Sequence, residues 1–215
     1  MGNVEHCSLL SFNVIFSEIF VISIKDSPKR EHIKNQLQGL RYTFFDAIVP
    51  DIEDPRQRQI VGNRASHKAV LKKAIIDGLR YILVFEDDVI LDPDYLNVLS
   101  NLNNFIKTRD WAMFYLGGHH RGKSVLFRDR EGIMRTKGTI ATHAVAYSYW
   151  YYKEAIDALS KPNDDPTPID YCFAGHPNSK APCFQKQNPC YTLNPTIAYQ
   201  IPTEKHGLDY WKQSY

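Results

Sequence analysis

Continuous apolar runs alternate with helical spacing through the first half of this chain. Ile19-Phe20-Val21-Ile22-Ser23-Ile24 is β-branched and nearly unbroken in its apolarity, as a strand covered on both faces must be. Asp26-Ser27-Pro28 then interrupts it, which predicts Ser27 as N-cap and Pro28 at the first helical position. The helix runs to about Leu40, burying Ile33, Leu37 and Leu40, with Gly39 near its end. Tyr42 to Phe45 predicts a second strand, followed by a turn-rich segment around Pro50 and Pro55. A further helix is expected from about Ser66, with Val70, Ala74 and Ile75 on one face and Gly78 closing it. Tyr81 to Phe85 is a third strand that stops at three consecutive acids. A helix follows from Pro93 to about Thr108, with Leu99, Leu102 and Ile106 at helical spacing. Trp111 to Leu116 reads as a fourth strand ending at Gly117-Gly118.

Strand, helix, strand, helix, strand predicts an α/β layered fold with a mainly parallel sheet. Ligands of such sheets bind beyond the carboxyl ends of the strands. That rule draws Lys25-Asp26-Ser27, Glu86-Asp87-Asp88 and Gly117-Gly118 toward one crevice. The second half is less regular. A buried strand is expected over Thr139 to Ala146, and the Pro, Asn and Gly content after Lys161 predicts long loops of the kind that wall a substrate site. No repeat and no domain boundary is evident, so 1–215 reads as a single domain.

Composition changes this picture little. Hydrophobic residues make up 43% and charged residues 23% of the 215, as in ordinary globular proteins. A formal charge of +2 without a basic stripe argues against nucleic acid as a partner. Met1 to His6 lacks the basic region of a secretion signal, and Leu9 to Ile24 is interrupted by Ser11, Asn13, Ser17 and Glu18. A cytoplasmic chain without a membrane span is therefore expected. Cys7, Cys172, Cys183 and Cys190 form no C-x-x-C pair, which disfavours a zinc knuckle. The last three share a loop-rich region, where a disulfide requires an oxidising compartment.

Glu86-Asp87-Asp88 is the most informative element. Three carboxylates at the end of a buried strand repel one another, and in extended backbone Glu86 and Asp88 would face one side together. Such hard oxygens suit magnesium or manganese completed by water and phosphate. A solvated turn, with Asp92 and Asp94 as helix N-terminal acids, is the plainer alternative. Neither G-x-x-x-x-G-K-[ST] nor G-x-G-x-x-G occurs, and Gly117-Gly118 reads first as a turn. A diphosphate would then be handled by the metal, assisted by cations such as Arg30, with the ion neutralising charge on a departing nucleoside diphosphate.

The segment Phe20-Val21-Ile22-Ser23-Ile24-Lys25-Asp26-Ser27-Pro28-Lys29-Arg30 resembles the opening strand and helix of glycosyltransferase family 25. That family includes bacterial lipooligosaccharide galactosyltransferases and procollagen galactosyltransferases. Phe44-Phe45-Asp46-Ala47, Ala65-Ser66-His67 and Leu83-Val84-Phe85-Glu86-Asp87-Asp88-Val89 resemble its successive motifs in order. Tyr115-Leu116-Gly117-Gly118, Thr142-His143-Ala144 and Pro168-Ile169-Asp170 are similar to later ones, so the likeness spans roughly Phe20 to Phe173. It implies a GT-A type fold, a UDP-sugar donor (galactose or glucose), manganese or magnesium, inversion at the anomeric carbon, and a glycan, lipooligosaccharide or protein acceptor. A nucleotide-binding half would cover about 14–118 and an acceptor-side half about 119–215. Ile22, Ser23 and Arg30 would line the nucleotide pocket, Ser66 and His67 would sit near the donor, and Glu86 and Asp88 would be the outer positions of a D-x-D-like motif. Asp87 would join them at the diphosphate, and Asp88 would hold the metal. One departure is Asn63-Arg64-Ala65, where the family commonly has a Gly-Cys pair before Ser-His.

Several of these residues also have plainer readings. Ser66 is a good N-cap, His67 could pack a first helical turn against the sheet, and Arg30 could be a solvated helix residue. An inverting transfer needs a base for the acceptor hydroxyl. Asp170 is the candidate, with a helix N-cap as its alternative and Asp164 and Asp165 as rivals in a turn. His206 is a second candidate metal ligand, because GT-A enzymes bring a late residue back to the ion. His119-His120 reads as an exposed loop, His143 as core or site floor, and Tyr147 to Tyr152 as core and helix start. Tyr210 and Trp211 are candidates for the acceptor wall. Two other classes stay open: a non-catalytic sugar-nucleotide or glycan-binding domain, and another metal-dependent nucleotide enzyme such as a nucleotidyltransferase.

Overall fold

The apolar runs of the first half become adjacent strands of one eight-stranded sheet. The computed structural model describes residues 10–120, 126–130, 132–176 and 182–202. Its strands are β1 (Glu18–Ser23), β2 (Thr43–Asp46), β3 (Tyr81–Glu86), β4 (Val89–Leu91), β5 (Met113–Tyr115), β6 (His119–His120), β7 (Leu126–Arg130), β8 (Ile133–Thr136), β9 (Thr139–Ile140), β10 (Ala144–Ser148), β11 (Cys190–Leu193) and β12 (Ala198–Gln200). Its helices are α1 (Phe12–Ile15), α2 (Lys29–Gln36), α3 (Pro55–Ile76), α4 (Leu99–Thr108), α5 (Tyr152–Leu159), α6 (Ile169–Ala174) and α7 (Phe184–Gln187).

The main sheet has the order β2-β1-β3-β10-β5-β11-β8-β7, with β12-β4 and β6-β9 as separate two-stranded ribbons. Strands β2, β1, β3, β5, β11 and β7 run one way, while β10 and β8 run against them. This is the α/β layout that was expected, with a mainly co-directional sheet. Strand residues alternate between its faces. Ile19, Val21, Leu83 and Phe85 join α1, α2 and α4 on one side. Phe20, Ile22, Ile82 and Val84 join α3, α5 and α6 on the other. Both faces are covered, which is why the strands read as unbroken apolar runs.

Several boundaries differ from the expected ones. Helix α2 starts one residue late, at Lys29, with Pro28 in the cap position. Ser27 serves that end through its hydroxyl, which accepts from the Lys29 amide at 3.3 Å. The helix stops at Gln36, and Ile33 and Leu37 are its buried residues. The largest change is α3, which begins at Pro55 rather than Ser66: the Asp54 carboxylate caps it by accepting from Gln57 N at 2.6 Å, and Pro55 stands in its first turn. Pro50 and Pro55 mark a turn and a helix start rather than one turn. The stretch expected as a helix from Pro93 is a 3-10 turn, Tyr95–Val98, followed by α4. The segment 139–146 divides into β9 and β10 at Ala141, whose φ is +73°. Among the described residues, no helix is long and apolar enough to cross a membrane.

Gly117 shows how tightly the second half closes on the first. A Cβ there would fall on the Ala198 carbonyl oxygen and 2.7 Å from His143 Nε2. Gly118 faces Thr139 and Ile140 less closely, at 2.5 and 3.0 Å from such a Cβ. The pair is a site of close backbone approach and does not line the cavity described below. Gly117→Ala is therefore expected to cost about 2–4 kcal/mol of overpacking. Gly39→Ala, at φ +84° with open space around it, should cost only about 1 kcal/mol. Denaturant titration of both variants checks this; equal losses would refute the steric account of Gly117.

Candidate functional site

At the carboxyl ends of β1 and β3 lies a cavity of about 350 Å³. Ile22, Ser23 and Ile24 supply one wall, the loop Ala47-Ile48-Val49 another, and Glu86-Asp87-Asp88 the floor. Helix α3 closes it with Arg58, Gln59, Gly62, Asn63 and Ser66. The arrangement follows from α3 being long. Its buried residues are Val61, Gly62, Arg64, Ser66, His67, Val70, Leu71 and Ala74, so the half next to the cavity packs with small and polar side chains where a helix usually presents apolar ones.

Each of those residues has a local task. Gly62 lets the wall loop approach: a Cβ would stand 2.6 Å from Ile48 O. Ser66, buried, donates to Gly62 O at 2.7 Å and accepts from Ile48 N at 2.8 Å. It is a mid-helix staple for the wall and not the N-cap that its sequence context suggested. His67, fully buried, spans from the Tyr147 hydroxyl (3.1 Å) to Glu86 Oε1 (3.2 Å). Arg64 is also buried; it donates to Thr167 O and Pro162 O, both at 2.9 Å, and fastens the loop beyond Lys161.

The three acids are held differently. Glu86 ends β3, and Asp87-Asp88 form a turn, so the extended-backbone argument for Glu86 and Asp88 fails although all three reach the cavity. Burial alone would raise the Glu86 carboxyl. Hydrogen bonds from His67 and from the Thr142 hydroxyl at 2.8 Å outweigh it and hold the group at about 2. Asp87 accepts from the Ser23 hydroxyl at 2.8 Å and pairs with Lys29 at 3.2 Å. Asp88 accepts from Gln200 Nε2 at 3.3 Å through Oδ2, while its Oδ1 is buried without a partner. Burial first, then the charge of Glu86, push Asp88 up to about 6. A buried carboxylate oxygen with nothing to bind, beside two further acids, is a place short of positive charge. The hard-oxygen chemistry fits a divalent cation. Among the described residues, no group of three or more His, Cys, Asp or Glu side chains converges to hold one without help.

Other expected residues lie elsewhere. Arg30 does not line the cavity: it donates to Ser23 O at 3.2 Å, pairs with Asp46 and lies over Phe44, bracing β1 from behind. The cations that do line it are Lys29 and Arg58, which sequence reasoning passed over. Lys29 sat one position from the residue chosen, and Arg58 lay in a segment read as a turn. Asp170 lies in the first turn of α6 and accepts from Ala141 N at 2.7 Å, supporting that left-handed residue. Asp165 closes a turn onto Thr167 N at 2.8 Å. His143 bonds Ala198 O at 3.2 Å in the core. His206, Tyr210 and Trp211 lie outside the described residues. Cys172, Cys183 and Cys190 are free thiols.

The profile described as "Glycosyltransferase family 25 (LPS biosynthesis protein)" matches residues 58–156, a stretch that carries α3, the acidic turn and β10. Residues 58–156, just under half of the 215, are similar to that family. The lacto-N-neotetraose biosynthesis glycosyltransferase LgtB of Neisseria meningitidis serogroup A is 24% identical over 84% of this chain and 73% of its own length. The probable inactive glycosyltransferase 25 family member 3 of Bos taurus is 24% identical over 91% of this chain. This chain spans 38% of that relative's length. A solved glycosyltransferase, involved in the glycosylation of the major capsid of PBCV-1, superposes with a TM-score of 0.40 at 10% identity, over 67% of this chain and 68% of that one. Within the matched segment, Asn63 opens the Asn63-Arg64-Ala65 stretch that departs from the expected motif. It lines the cavity and donates to Glu86 Oε1 at 3.4 Å.

A second polar cluster lies around Thr139. Gln185 bridges the Tyr115 hydroxyl (2.8 Å) and both backbone groups of Thr139, and His120 Nδ1 meets Thr139 Oγ1 at 2.7 Å. His120 is thus buried and not the loop residue expected. Burial, with His119 adding to it, lowers its pKa to about 4. The unfolded chain then takes up this proton near pH 6.5 and the folded chain only near 4. The His120 contribution to stability is complete above about 6.5 and lost as pH falls toward about 4. The full effect is on the order of 3 kcal/mol. Thermal unfolding of wild type and His120→Gln across pH 4–7 tests it, the variant showing the shallower acid slope.

Proposed function

We propose that this chain is a metal-dependent, inverting glycosyltransferase that moves a hexose from a UDP-sugar to a hydroxyl of a glycan or protein acceptor. The observation that carries the reading is the acidic floor of the cavity at the β1 and β3 ends, with the unpartnered Asp88 Oδ1. Ile22, Ser23 and the Ala47–Val49 loop offer the nucleotide an apolar wall, while Lys29 and Arg58 stand where a diphosphate would need cations. Asp88 is the residue assigned to manganese or magnesium, with Glu86 and Asp87 supplying charge around it. The ion, when bound, neutralises the developing charge on the leaving diphosphate.

Chemistry at the acceptor side needs only a positioned base. The acceptor oxygen forms a bond to the anomeric carbon from the face opposite UDP, the carbon–oxygen bond to the diphosphate breaks, and the hydroxyl proton passes to a carboxylate. Asp170 is the group assigned to that role. Burial first, then the charges of Glu86 and Asp170, push the Tyr147 hydroxyl up. Lipooligosaccharide belongs among the acceptor classes because LgtB and the family description point to glycan assembly.

A second reading is a domain that binds the nucleotide sugar without turning it over. It is favoured by the relatives named inactive and by Asn63 at the departed motif position. Binding of a UDP-sugar without transfer across glycan and protein acceptors would select it.

Wild type with manganese should show a thermal shift with UDP that follows occupancy. Asp88→Ala should lose the manganese-dependent part of that shift while still folding; retention of the full shift would remove Asp88 as the ligand. Asp170→Asn should keep UDP binding and lower turnover by about 10²–10⁴-fold. Unchanged turnover in that variant would move the base elsewhere.

A further inference from the structure

Glu86 has an uneven hydrogen-bond arrangement. Its Oε1 accepts from Thr142 Oγ1 (2.8 Å), His67 Nε2 (3.2 Å) and Asn63 Nδ2 (3.4 Å). No hydrogen bond from the described residues reaches Oε2, and the residue lines the cavity. A carboxylate free to rotate would offer its oxygens interchangeably. Here three donors from α3 and from the corner before β10 fix which oxygen turns inward.

His67 is central to that choice. The ring is fully buried and does not line the cavity, so it reaches a ligand only through Glu86. Its other nitrogen, Nδ1, faces the Tyr147 hydroxyl, for which this is the hydrogen bond the structure gives. The network assigns the protons. Tyr147 O–H needs an acceptor, and Nδ1 is that acceptor; Nε2 then carries the ring's hydrogen and donates to Oε1. Tyr147 therefore sets the tautomer, as an outer partner does for a histidine bound to a metal.

We propose that His67, keyed by Tyr147, is a positioning residue that holds Glu86 with Oε1 turned inward and Oε2 presented to the cavity as an acceptor for a hydroxyl group of the bound nucleotide sugar. The inference rests on the UDP-sugar reading of the same cavity. It gives His67 a part in ligand recognition without contact. It also makes the Ser66-His67 pair a division of labour, one residue fixing the wall and the other the floor.

A double-mutant cycle tests it, with UDP and UDP-galactose binding measured by calorimetry in manganese. Glu86→Gln and His67→Phe should each weaken binding roughly ten-fold, the scale of a lost charge-assisted hydrogen bond. The Glu86→Gln/His67→Phe double variant should bind no more weakly than Glu86→Gln alone, because His67 acts only through the carboxylate. His67→Gln, whose amide can donate to the same oxygen, should recover most of the affinity. Should His67→Phe not fold, Tyr147→Phe serves instead. It removes one hydroxyl, and its smaller loss should vanish in the Glu86→Gln background. Additive losses, or wild-type affinity in His67→Phe, would overturn the inference and leave the UDP-sugar reading intact. Absence of UDP binding by the wild type would remove both.

Discussion

Glu86 is the carboxylate on which the site depends. It closes β3, its amide hydrogen-bonds to His143 O at 2.9 Å, and its side chain collects donors from α3 and from the 141–143 corner. Largely burying a charge is unfavourable unless donors reach it. That requirement reaches outward: Thr142 must sit where it does, and Ala141 turns left-handed, φ +73°, between β9 and Thr142. Asp170 steadies that turn through the Ala141 amide. A carboxylate in α6 is thereby linked, over two neighbouring residues, to one in β3.

The neighbouring acids divide the electrostatics. Asp87 is matched by Lys29 and Ser23 and stays inside the protein's own charge balance. Asp88 is not, and burial and Glu86 both act against its ionisation. Three adjacent carboxylates thus differ in what they lack. One is saturated on a single oxygen, one is paired, and one has an oxygen with no partner. That graded shortage of positive charge sits at the strand ends, where α/β sheets take ligands.

Much of the layered architecture was legible because β1 and β3 are covered on both faces, which leaves an unbroken apolar signature. The acidic triplet was legible for the opposite reason, since three like charges at a strand end need a purpose. What escaped was the first half of α3. Apart from Val61 its buried face carries Gly62, Arg64, Ser66 and His67, so periodicity of apolar residues has little to register there. Asp54-Pro55 did carry a cap signal, masked by the nearby Pro50. The exchange of Arg30 for Lys29 is a matter of helical phase: adjacent helix positions are about 100° apart, and sequence alone does not say which faces inward. The splitting of 139–146 depends on Ala141 accepting a conformation that alanine seldom takes.

Strand β10 lies between β3 and β5, and β5 in turn lies between β10 and β11. Chain from beyond residue 140 therefore completes the hydrogen bonding of strands laid down before residue 118. The earlier and later parts of the chain are interleaved like fingers and share no seam between them. Change around the cavity is therefore easiest in the loops between fixed strands, while the framework that holds the acids is built from early and late chain at once.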